Sequence, residues 1–382
     1  MYRNFVMFQF ETQLQSIQKT VTVFLVFVLF FGFAFNFLPQ PTVDDTGGLS
    51  YEPAMKKAYA AGSAWNDTDW TLYDTITIDA TQVDDDLIDF PVYVDLSDLT
   101  SQFWAITTTG STTVGTDISV TTDDGSPVEL ARELVCASCT AQTGELHFKA
   151  ISFSSTTDTV FRIYYNGFTG GDYDTNSTYG AENVWTNDYF SVHHLQEGYG
   201  TSTEFYSDST GGGYNLTLTD ADGDTVFTDG QLGQTLDFNG DADYLTSGTF
   251  TDTSLLGVTF SAWMNVTPYG SNQEFFANGY HTIDFKDPDT VRVREAGANA
   301  NIETSSIATS TWQYVTMTAD TSTIELFTNG ISRVSDASND IGVDEFYIAS
   351  QFSGGRYFDG LLDEVRIAST SRSAAWIAAE YT

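Results

Sequence analysis

Short runs in which apolar and polar residues alternate dominate the chain from about residue 70 onward. In the first half these runs lie at residues 73–78, 90–96, 145–151 and 160–165. In the second half they recur at 257–264, 289–294, 312–319, 324–327, 345–349 and 362–368. A period of two, bounded by Gly, Asp, Asn and Ser, is typical of a strand buried on one face. The pattern predicts an all-β chain of two β-sandwich domains, with one helix after residue 70, at residues 373–381.

One long apolar run near the amino terminus departs from this pattern. Residues 21–38 read VTVFLVFVLFFGFAFNFL and carry no charge; as a helix they would span about 27 Å. Arg3 and Lys19 precede the run and two aspartates follow it, which favours a cytoplasmic segment at residues 1–20 and an exterior remainder. We predict a retained transmembrane anchor. The alternative is a cleaved signal peptide, and both interpretations export the rest of the chain.

The remaining chain divides into a linker and two domains. Residues 39–69 hold three of the seven prolines and no sustained apolar period, which is typical of a stalk. The strand runs that follow predict a small β-sandwich at residues 70–190 and a second sandwich at residues 191–382. This organisation predicts a cell-surface protein with its β-domains outside the cell.

Charge and composition narrow the classes of function. The 382 residues include 52 acidic and 14 basic side chains, for a formal charge of -38, and 15% of them are aromatic. So many apolar and aromatic residues exclude a disordered acidic protein. The scattered basic residues exclude nucleic acid as a partner. The acidity fits adaptation to high salt, exterior loops that chelate divalent cations, or both.

The second half of the chain resembles a laminin-G-like, concanavalin A-like lectin/glucanase domain. The segments that carry the resemblance follow one another in the family's order: VHHLQEGYGT at 192–201, QTLDFNGDADYL at 234–245, FSAWMNV at 260–266, TWQYVTMTAD at 311–320, IELFTNG at 324–330 and GLLDEVRIASTSRSAAWIAAEY at 360–381. The resemblance implies a jelly-roll sandwich of two curved antiparallel sheets.

The first half resembles a small uncharacterised β-domain that often precedes laminin-G-like domains in prokaryotic surface proteins. The segments are YDTITID, LIDFPVYVDLSDL, LARELV, TVFRIYYNG and ENVWTNDY. This family has no established chemistry. Together the two resemblances imply an exported adhesion or cell-surface protein.

The lectin-like resemblance implies a calcium site. Members of the family often bind calcium through a loop of the FNGDADYL type, here with Asn239, Asp241 and Asp243. These residues alternate, so in an extended segment they project to one side. Asp363, in the closing segment, is the additional ligand that the resemblance suggests. The alternative is that these acids cap turns or stay solvated.

Loop-borne aromatic and polar residues are candidates for sugar binding. A flat aromatic face stacks on a sugar ring while polar groups bond its hydroxyls. The candidates in predicted loops are Tyr269, Asn272, Asn278, Tyr280, Phe352, Arg356 and Tyr357. The alternative is that these aromatic residues only cover the edges of the sandwich.

Two cysteines and two histidines have simpler interpretations. Cys136 and Cys139 form a C-A-S-C motif between two predicted strands, and outside the cell a local disulfide is expected rather than a zinc site. His193 and His194 adjoin a strand, so at most one of them enters any given site, and the inward one is expected to be a packing residue.

Catalytic motifs are not evident in the sequence. A retaining glycosidase needs two carboxylates about 5 Å apart, whereas Asp363 and Glu364 are adjacent and would diverge on a regular strand. We therefore predict a non-catalytic, membrane-anchored protein that binds glycans or glycoproteins through a calcium-ordered laminin-G-like domain. The alternative is a self-associating structural subunit of a surface layer or filament, and a glycoside hydrolase is a weaker third interpretation.

Overall fold

The computed structural model of the protein describes most of the chain after residue 70. The described residues are 42–43, 49–50, 55–57, 70, 72–107, 118–123, 125–135, 144–165, 173–196, 205–220, 225–252, 255–295, 301–338, 341–352 and 354–382. The predicted anchor at 21–38, most of the linker and the cysteines Cys136 and Cys139 lie outside them. Within the described part of the chain, no helix combines the length and apolarity needed to cross a bilayer.

The chain forms two compact units, residues 1–55 and residues 56–382. In the first unit, β1 (Thr42–Val43) and β2 (Leu49–Ser50) pair antiparallel. All further description concerns the second unit. Its strands confirm the predicted all-β fold and form two sandwiches.

The first sandwich contains a five-stranded and a three-stranded antiparallel sheet, with strand orders β3–β4–β10–β6–β7 and β5–β9–β8. Its elements are β3 (Met55–Lys57), β4 (Leu72–Ile78), η1 (Ala80–Gln82), β5 (Leu87–Asp95), η2 (Leu96–Asp98), α1 (Ser101–Thr107), β6 (Ile118–Thr122), β7 (Glu129–Leu130), β8 (Arg132–Val135), β9 (Glu145–Phe153) and β10 (Thr159–Tyr165). Phe148 on β9 contacts Phe161 on β10 at 4.9 Å between ring centroids, which joins the two sheets. The short helix α1 was not predicted, because two turns are too few to show a helical period.

The second sandwich contains two eight-stranded antiparallel sheets. One has the order β14–β15–β28–β18–β23–β24–β25, with β11 also pairing with β28, and the other has the order β12–β13–β16–β27–β19–β20–β21–β22. Its elements, with the connecting η3, are η3 (Ala181–Asn183), β11 (Tyr189–His193), β12 (Phe205–Tyr206), β13 (Leu216–Thr219), β14 (Val226–Asp229), β15 (Gln234–Asn239), β16 (Tyr244–Thr246), β17 (Thr251–Asp252), β18 (Gly257–Val266), β19 (Gln273–Ala277), β20 (His281–Lys286), β21 (Thr290–Glu295), β22 (Asn301–Thr304), β23 (Gln313–Asp320), β24 (Thr323–Thr328), β25 (Ile331–Ala337), β26 (Val343–Asp344), β27 (Tyr347–Ile348), β28 (Asp359–Ala368) and α2 (Ala374–Tyr381). The short strands β17 and β26 form a separate pair.

Aromatic side chains fill the space between these two sheets. Phe260 on β18 stacks on Phe276 on β19, with ring centroids 4.1 Å apart and planes 29° from parallel. Both are buried, together with apolar residues from nearly every strand of the two sheets. The predicted carboxy-terminal helix is confirmed as α2, and the Ser373 side chain caps it by accepting the Trp376 amide.

The two sandwiches touch each other directly. Trp376 on α2 packs against Phe90 on β5, with ring centroids 4.8 Å apart. Trp185, which precedes β11, is buried and stacks under the Arg366 guanidinium of β28 at 5.1 Å. The second sandwich therefore meets the first along β28, α2 and the segment before β11.

Strand β28 contains a bulge at this junction. Opposite it on β18, Ser261 pairs with Arg366 but Trp263 pairs with Asp363, so β28 carries one extra residue. Glu364 lies in the bulge with φ of 51°. A bulge bends its strand and breaks the alternation of side chains. The regular alternation assumed for Asp363 and Glu364 is therefore interrupted, and the two carboxyl groups have different partners, Leu232 and His194.

Candidate functional site

Five aromatic side chains gather on the surface of the second sandwich, and we call them the aromatic rim: Tyr244, Tyr269, Tyr347, Phe352 and Tyr357. The rings of Tyr244 and Tyr357 are nearly parallel at 19°, with centroids 6.3 Å apart. Tyr244 lies 5.7 Å from Tyr347, which lies 5.4 Å from Phe352. The Tyr269 hydroxyl donates to the Tyr357 carbonyl at 2.9 Å. Tyr269 and Phe352 are exposed and the other three are half-buried.

Strand alternation and one tight turn place these rings together. Leu245 and Ile348 face the core and pair with each other across β16 and β27, so the tyrosine before each faces outward. The turn after β27 is closed by the Gly354 amide, which donates to the Gln351 carbonyl at 2.7 Å. This turn returns the chain so that Tyr357 stacks beside Tyr244.

A ladder of ion pairs borders the aromatic rim. Glu274 on β19 accepts from Arg356 at 2.8 Å and from Arg294 at 2.5 Å. Asp284 on β20 accepts from Arg292 and Arg294, each at 2.8 Å. The two carboxylates are buried while the guanidiniums remain partly exposed. Arg356 immediately precedes Tyr357, so the rim combines an aromatic surface with guanidinium donors.

The structure separates the predicted ligand-binding residues into two groups. Tyr269, Phe352, Arg356 and Tyr357 lie at the rim. Asn278 and Tyr280 follow the far end of β19, about 13 Å along the strand from the residue that Arg356 contacts. Asn278 accepts from the amides of residues 280 and 281 and closes its own turn. It has the turn-forming role that Asn commonly has.

The predicted calcium loop lies beside the rim. Asn239 accepts the Asp241 amide at 2.7 Å, Asp241 is exposed and Asp243 is buried. A Cβ placed on Gly240 would lie 3.1 Å from the Asp359 side chain and 3.4 Å from the Tyr269 ring. The acid that β28 contributes to this loop is thus Asp359, which is opposite Asn239 in the strand register. Burial raises the pKa of Asp359, and the nearby negative charge of Asp237 raises it further.

Asp363 does not join the calcium loop. It lies four residues beyond Asp359 on β28, a distance of about 13 Å along a strand. It is buried, and its Oδ2 accepts the Leu232 amide at 2.8 Å. The prediction that Asp363 is an additional ligand of the loop is therefore corrected, because the strand register places it at the junction of the two sandwiches.

At that junction Asp363 belongs to a dense polar group that we call the junction cluster: Glu133, Glu145, His147, His194, Asp363 and Glu364. His194 Nδ1 lies 2.5 Å from Glu364 Oε1, and its Nε2 lies 3.3 Å from Glu133 Oε2. His147 Nε2 lies 3.2 Å from Glu145 Oε2. The His147 and His194 rings are 4.8 Å apart. The first sandwich provides the first three of these residues and the second provides the others.

The electrostatics of the junction cluster follow from burial and close opposite charges. Burial lowers the pKa of His194, but Glu364 and Glu133 outweigh that effect and raise it well above its ordinary value. Burial alone would raise the pKa of Glu364, yet His194 and Arg366 hold it below its ordinary value. Burial, reinforced by Glu364 and Glu145, raises the pKa of Asp363.

Several of these residues were not predicted as functional from the sequence. Tyr244 and Tyr347 occupy outward positions of short strands, and the alternation with Leu245 and Ile348 is the signal that could have identified them. The junction cluster has no local signal, because His194 and Glu364 are 170 residues apart in the chain.

A surface groove of about 560 Å³ lies elsewhere, on the first sandwich. Ile88, Val128 and Ile151 line it and are exposed by 65%, 49% and 46%. None of the predicted ligand-binding residues lines this groove. The residues with candidate sugar-binding chemistry are thus on the second sandwich.

The resemblance of the second half to a known superfamily is confirmed. Residues 238–378 match a laminin G family model described as the concanavalin A-like lectin/glucanases superfamily. The matched segment includes the predicted calcium loop from residue 238, the aromatic rim and the ion-pair ladder. No curated protein matches the chain.

Solved structures with a similar backbone include sugar-bound and toxin domains. Domain 4 of AbnA, a GH43 extracellular arabinanase from Geobacillus stearothermophilus in complex with arabinotriose, is 18% identical with a TM-score of 0.40, covering 50% of this chain and 97% of that one. The binding domain of botulinum neurotoxin serotype D is 12% identical with a TM-score of 0.41, covering 53% and 52%. The serotype D ligand binding domain in complex with N-acetylneuraminic acid is 13% identical with a TM-score of 0.39, covering 53% and 52%. The match spans about half the length of the toxin domains.

Proposed function

Because residues 238–378 match a superfamily of lectins and glucanases, we propose that this chain is a non-catalytic recognition protein that binds glycans or glycoproteins at its aromatic rim. The partner is a glycan on another surface. In this proposal the protein is held at the cell surface by residues 21–38 and acts in adhesion. Neither nucleic acid nor an anionic substrate suits a chain with a charge of -38.

The grouping of Tyr244, Tyr347 and Tyr357 beside Arg356 is the observation that carries this proposal. Sugar rings present flat C–H faces that stack on aromatic rings, and their hydroxyls bond to polar neighbours. Arg356 is fixed for this role, because its guanidinium donates to Glu274 and its carbonyl accepts the Glu274 amide at 2.8 Å. Such fixed donors lower the entropy lost on binding.

Three of the carboxylates near the rim favour binding rather than hydrolysis. A glycosidase needs one carboxyl group to donate a proton and a second one to act as nucleophile or base. Glu274 and Asp284 are instead buried and bonded to arginines. Glu345 accepts from the Tyr347 and Thr246 hydroxyls. These three carboxylates are already bonded to arginines or hydroxyl groups of the protein, which is typical of a structural role.

Mutation of the rim tests this proposal. The full chain, purified in detergent, is screened on a glycan array, and each hit is measured again with Tyr357→Ala and Tyr244→Ala. Each truncation is expected to weaken binding about five- to tenfold, because one stacked ring contributes roughly 1 kcal/mol. Tyr280→Ala is the matched control, since Tyr280 lies at the far end of β19, and it should bind like the wild type.

Two results would contradict the glycan proposal. One is the absence of any hit from a chain shown to be folded by circular dichroism, with and without calcium and at low and high salt. The other is equal weakening by Tyr280→Ala and Tyr357→Ala. Assembly of the same preparation into large oligomers without any hit would favour the structural-subunit alternative.

We propose further that calcium orders the loop beside the rim. Asn239, Asp241, Asp243 and Asp359 supply oxygen donors, which suit a hard cation. The three aspartates repel one another in the absence of a cation. Bound calcium would offset that repulsion and hold the loop against Tyr269, whose ring lies 3.4 Å from a Cβ placed on Gly240.

The calcium proposal predicts a loss of response on mutation. Wild-type protein should melt at a higher temperature in calcium than in chelator, because a ligand that binds only the folded state stabilises it. The double variant Asp241→Ala with Asp243→Ala should lose this rise, and Asp359→Asn should reduce it. An exposed acid away from the loop provides the control, Glu303→Gln. If the double variant still responds like the wild type, calcium binds elsewhere.

A further inference from the structure

The junction cluster has the donor set of a transition-metal site. One donor atom from each of Glu145, His147, His194 and Glu364 lies within 4.8 Å of the other three. All four side chains are buried. Donors around a tetrahedral zinc ion lie about 3.3 Å apart, because Zn–N and Zn–O bonds are roughly 2.0–2.1 Å. Side-chain rotations that close gaps of about 1.5 Å at most would complete such a shell.

Negative charge exceeds positive charge in this region. Glu145, Asp363 and Glu364 are fully buried, and Glu133 is 12% exposed. Two side chains oppose this charge: His194, between Glu364 and Glu133, and Arg366, which is 2.8 Å from Glu364. Arg366 also lies 3.5 Å from a further carboxylate, Glu380. Buried carboxylates are costly unless a cation compensates them. A divalent ion at the centre of the cluster would supply that charge.

Neighbouring groups fix the orientation of the His194 ring. Its Nε2 faces Glu133 Oε2 at 3.3 Å. Glu133 is itself held by the Trp185 indole N–H at 2.5 Å and the Ser209 hydroxyl at 2.7 Å. Nδ1 faces Glu364 Oε1 at 2.5 Å. A metal ion between them would displace the proton from Nδ1, while Nε2–H continues to donate to Glu133. A carboxylate behind a histidine in this way orients metal-binding imidazoles in general.

His147 provides a second, independent observation. Its side chain is fully buried, and its Nδ1 has no hydrogen-bond partner among the described residues. Its Nε2 has one neighbour, Glu145 Oε2. A buried imidazole normally engages both nitrogens, one as donor and the other as acceptor or metal ligand. His147 is therefore a buried imidazole whose hydrogen-bonding capacity is only partly used among the described residues.

We propose that Glu145, His147, His194 and Glu364 bind one divalent transition-metal ion, best fitted by zinc, which joins the two sandwiches. Two nitrogen and two oxygen donors suit zinc, whereas calcium and magnesium prefer oxygen alone. Glu145 and His147 come from β9 of the first sandwich, while His194 and Glu364 come from the second. The ion therefore links elements of both sandwiches and stabilises their contact. This site is separate from the proposed glycan and calcium sites.

Metal content of the full chain tests the proposal. Protein purified in detergent is dialysed against a strong chelator, reloaded with Zn²⁺ and analysed by mass spectrometry. We expect about one tightly held zinc ion per chain and a rise in melting temperature of about 5 °C over the chelated protein. Co²⁺ loading should give the visible absorption of tetrahedral cobalt with nitrogen ligands, a signature that needs no mutation.

Variants test where the ion binds. They also distinguish this site from weak metal binding to the acidic surface. His147→Gln should lower zinc affinity by at least about 100-fold, and Glu133→Gln, which only positions His194, by about tenfold. His281→Gln is the matched control, because His281 is equally buried but lies outside the cluster. Failure of the wild type to retain either metal overturns the proposal. Equal zinc affinity in His147→Gln and His281→Gln overturns it as well.

Discussion

Replacement of Phe260 by alanine is expected to lower the free energy of unfolding by about 3–5 kcal/mol. Phe260 is fully buried on β18 and stacks on Phe276 of the opposite sheet at 4.1 Å. Its ring also lies 6.3 Å from the ring of Phe275. Truncation removes the buried apolar surface and leaves a cavity between two sheets whose backbones cannot collapse into it. Urea titration followed by tryptophan fluorescence measures the change.

The chain offers a control for this substitution. Phe205 lies on β12 of the same sandwich but is 54% exposed, so Phe205→Ala should change the free energy of unfolding by no more than about 0.5 kcal/mol. Phe260→Leu keeps most of the apolar volume, so its loss of free energy of unfolding should lie between those of Phe260→Ala and Phe205→Ala. If Phe260→Ala unfolds at the same urea concentration as Phe205→Ala, the stacked pair does not stabilise the sandwich.

The strands could be predicted from the sequence because each depends on its own alternating residues. The run predicted at 73–78 is β4 (Leu72–Ile78), and that at 312–319 is β23 (Gln313–Asp320). The helix predicted at residues 373–381 begins one residue later, at Ala374, because Ser373 is its cap. Local pattern determines these elements, and long-range contacts only adjust their ends.

The sites could be predicted only in part, because they depend on contacts between distant segments. Among the predicted loop residues, Tyr269, Phe352, Arg356 and Tyr357 lie together, but the length of β19 separates Asn278 from Arg356. The residues of the junction cluster come from strands of different sandwiches, so no spacing in the sequence relates them. The bulge at Glu364 adds a backbone irregularity that alternation does not show.

The two adjacent histidines at the end of β11 have different surroundings in the structure. The sequence predicts that His193 and His194 point to opposite faces of a strand and that the inward one is a packing residue. His193 accordingly lies in the interior, where its Nδ1 is 3.0 Å from the Ser207 carbonyl. His194 instead contacts two carboxylates, one from each sandwich. The segment after β11 therefore connects the two sandwiches through ion pairs.

Replacement of Arg366 by methionine is expected to destabilise the chain by about 3–5 kcal/mol. The Arg366 side chain is 8% exposed, bonds Glu364 at 2.8 Å and lies 3.5 Å from Glu380. Glu380 also accepts from the Tyr189 hydroxyl at 2.6 Å and the Tyr314 hydroxyl at 3.0 Å. Methionine fills a similar volume but removes the cation beside Glu380 and leaves Glu364 with His194 as its remaining cationic partner. The measurement is again the free energy of unfolding in urea.

Two further variants test whether the lower stability of Arg366→Met comes from the missing positive charge. Arg366→Lys keeps a cation but loses the planar group that stacks over Trp185 at 5.1 Å, so it should be destabilised less than Arg366→Met. Adding Glu380→Gln to Arg366→Met removes one of the uncompensated carboxylates and should recover part of the loss, which a double-mutant cycle measures. If Arg366→Met is as stable as the wild type, the contact between β28 and α2 depends on packing and hydroxyl bonds, and the buried ion pairs contribute nothing to it.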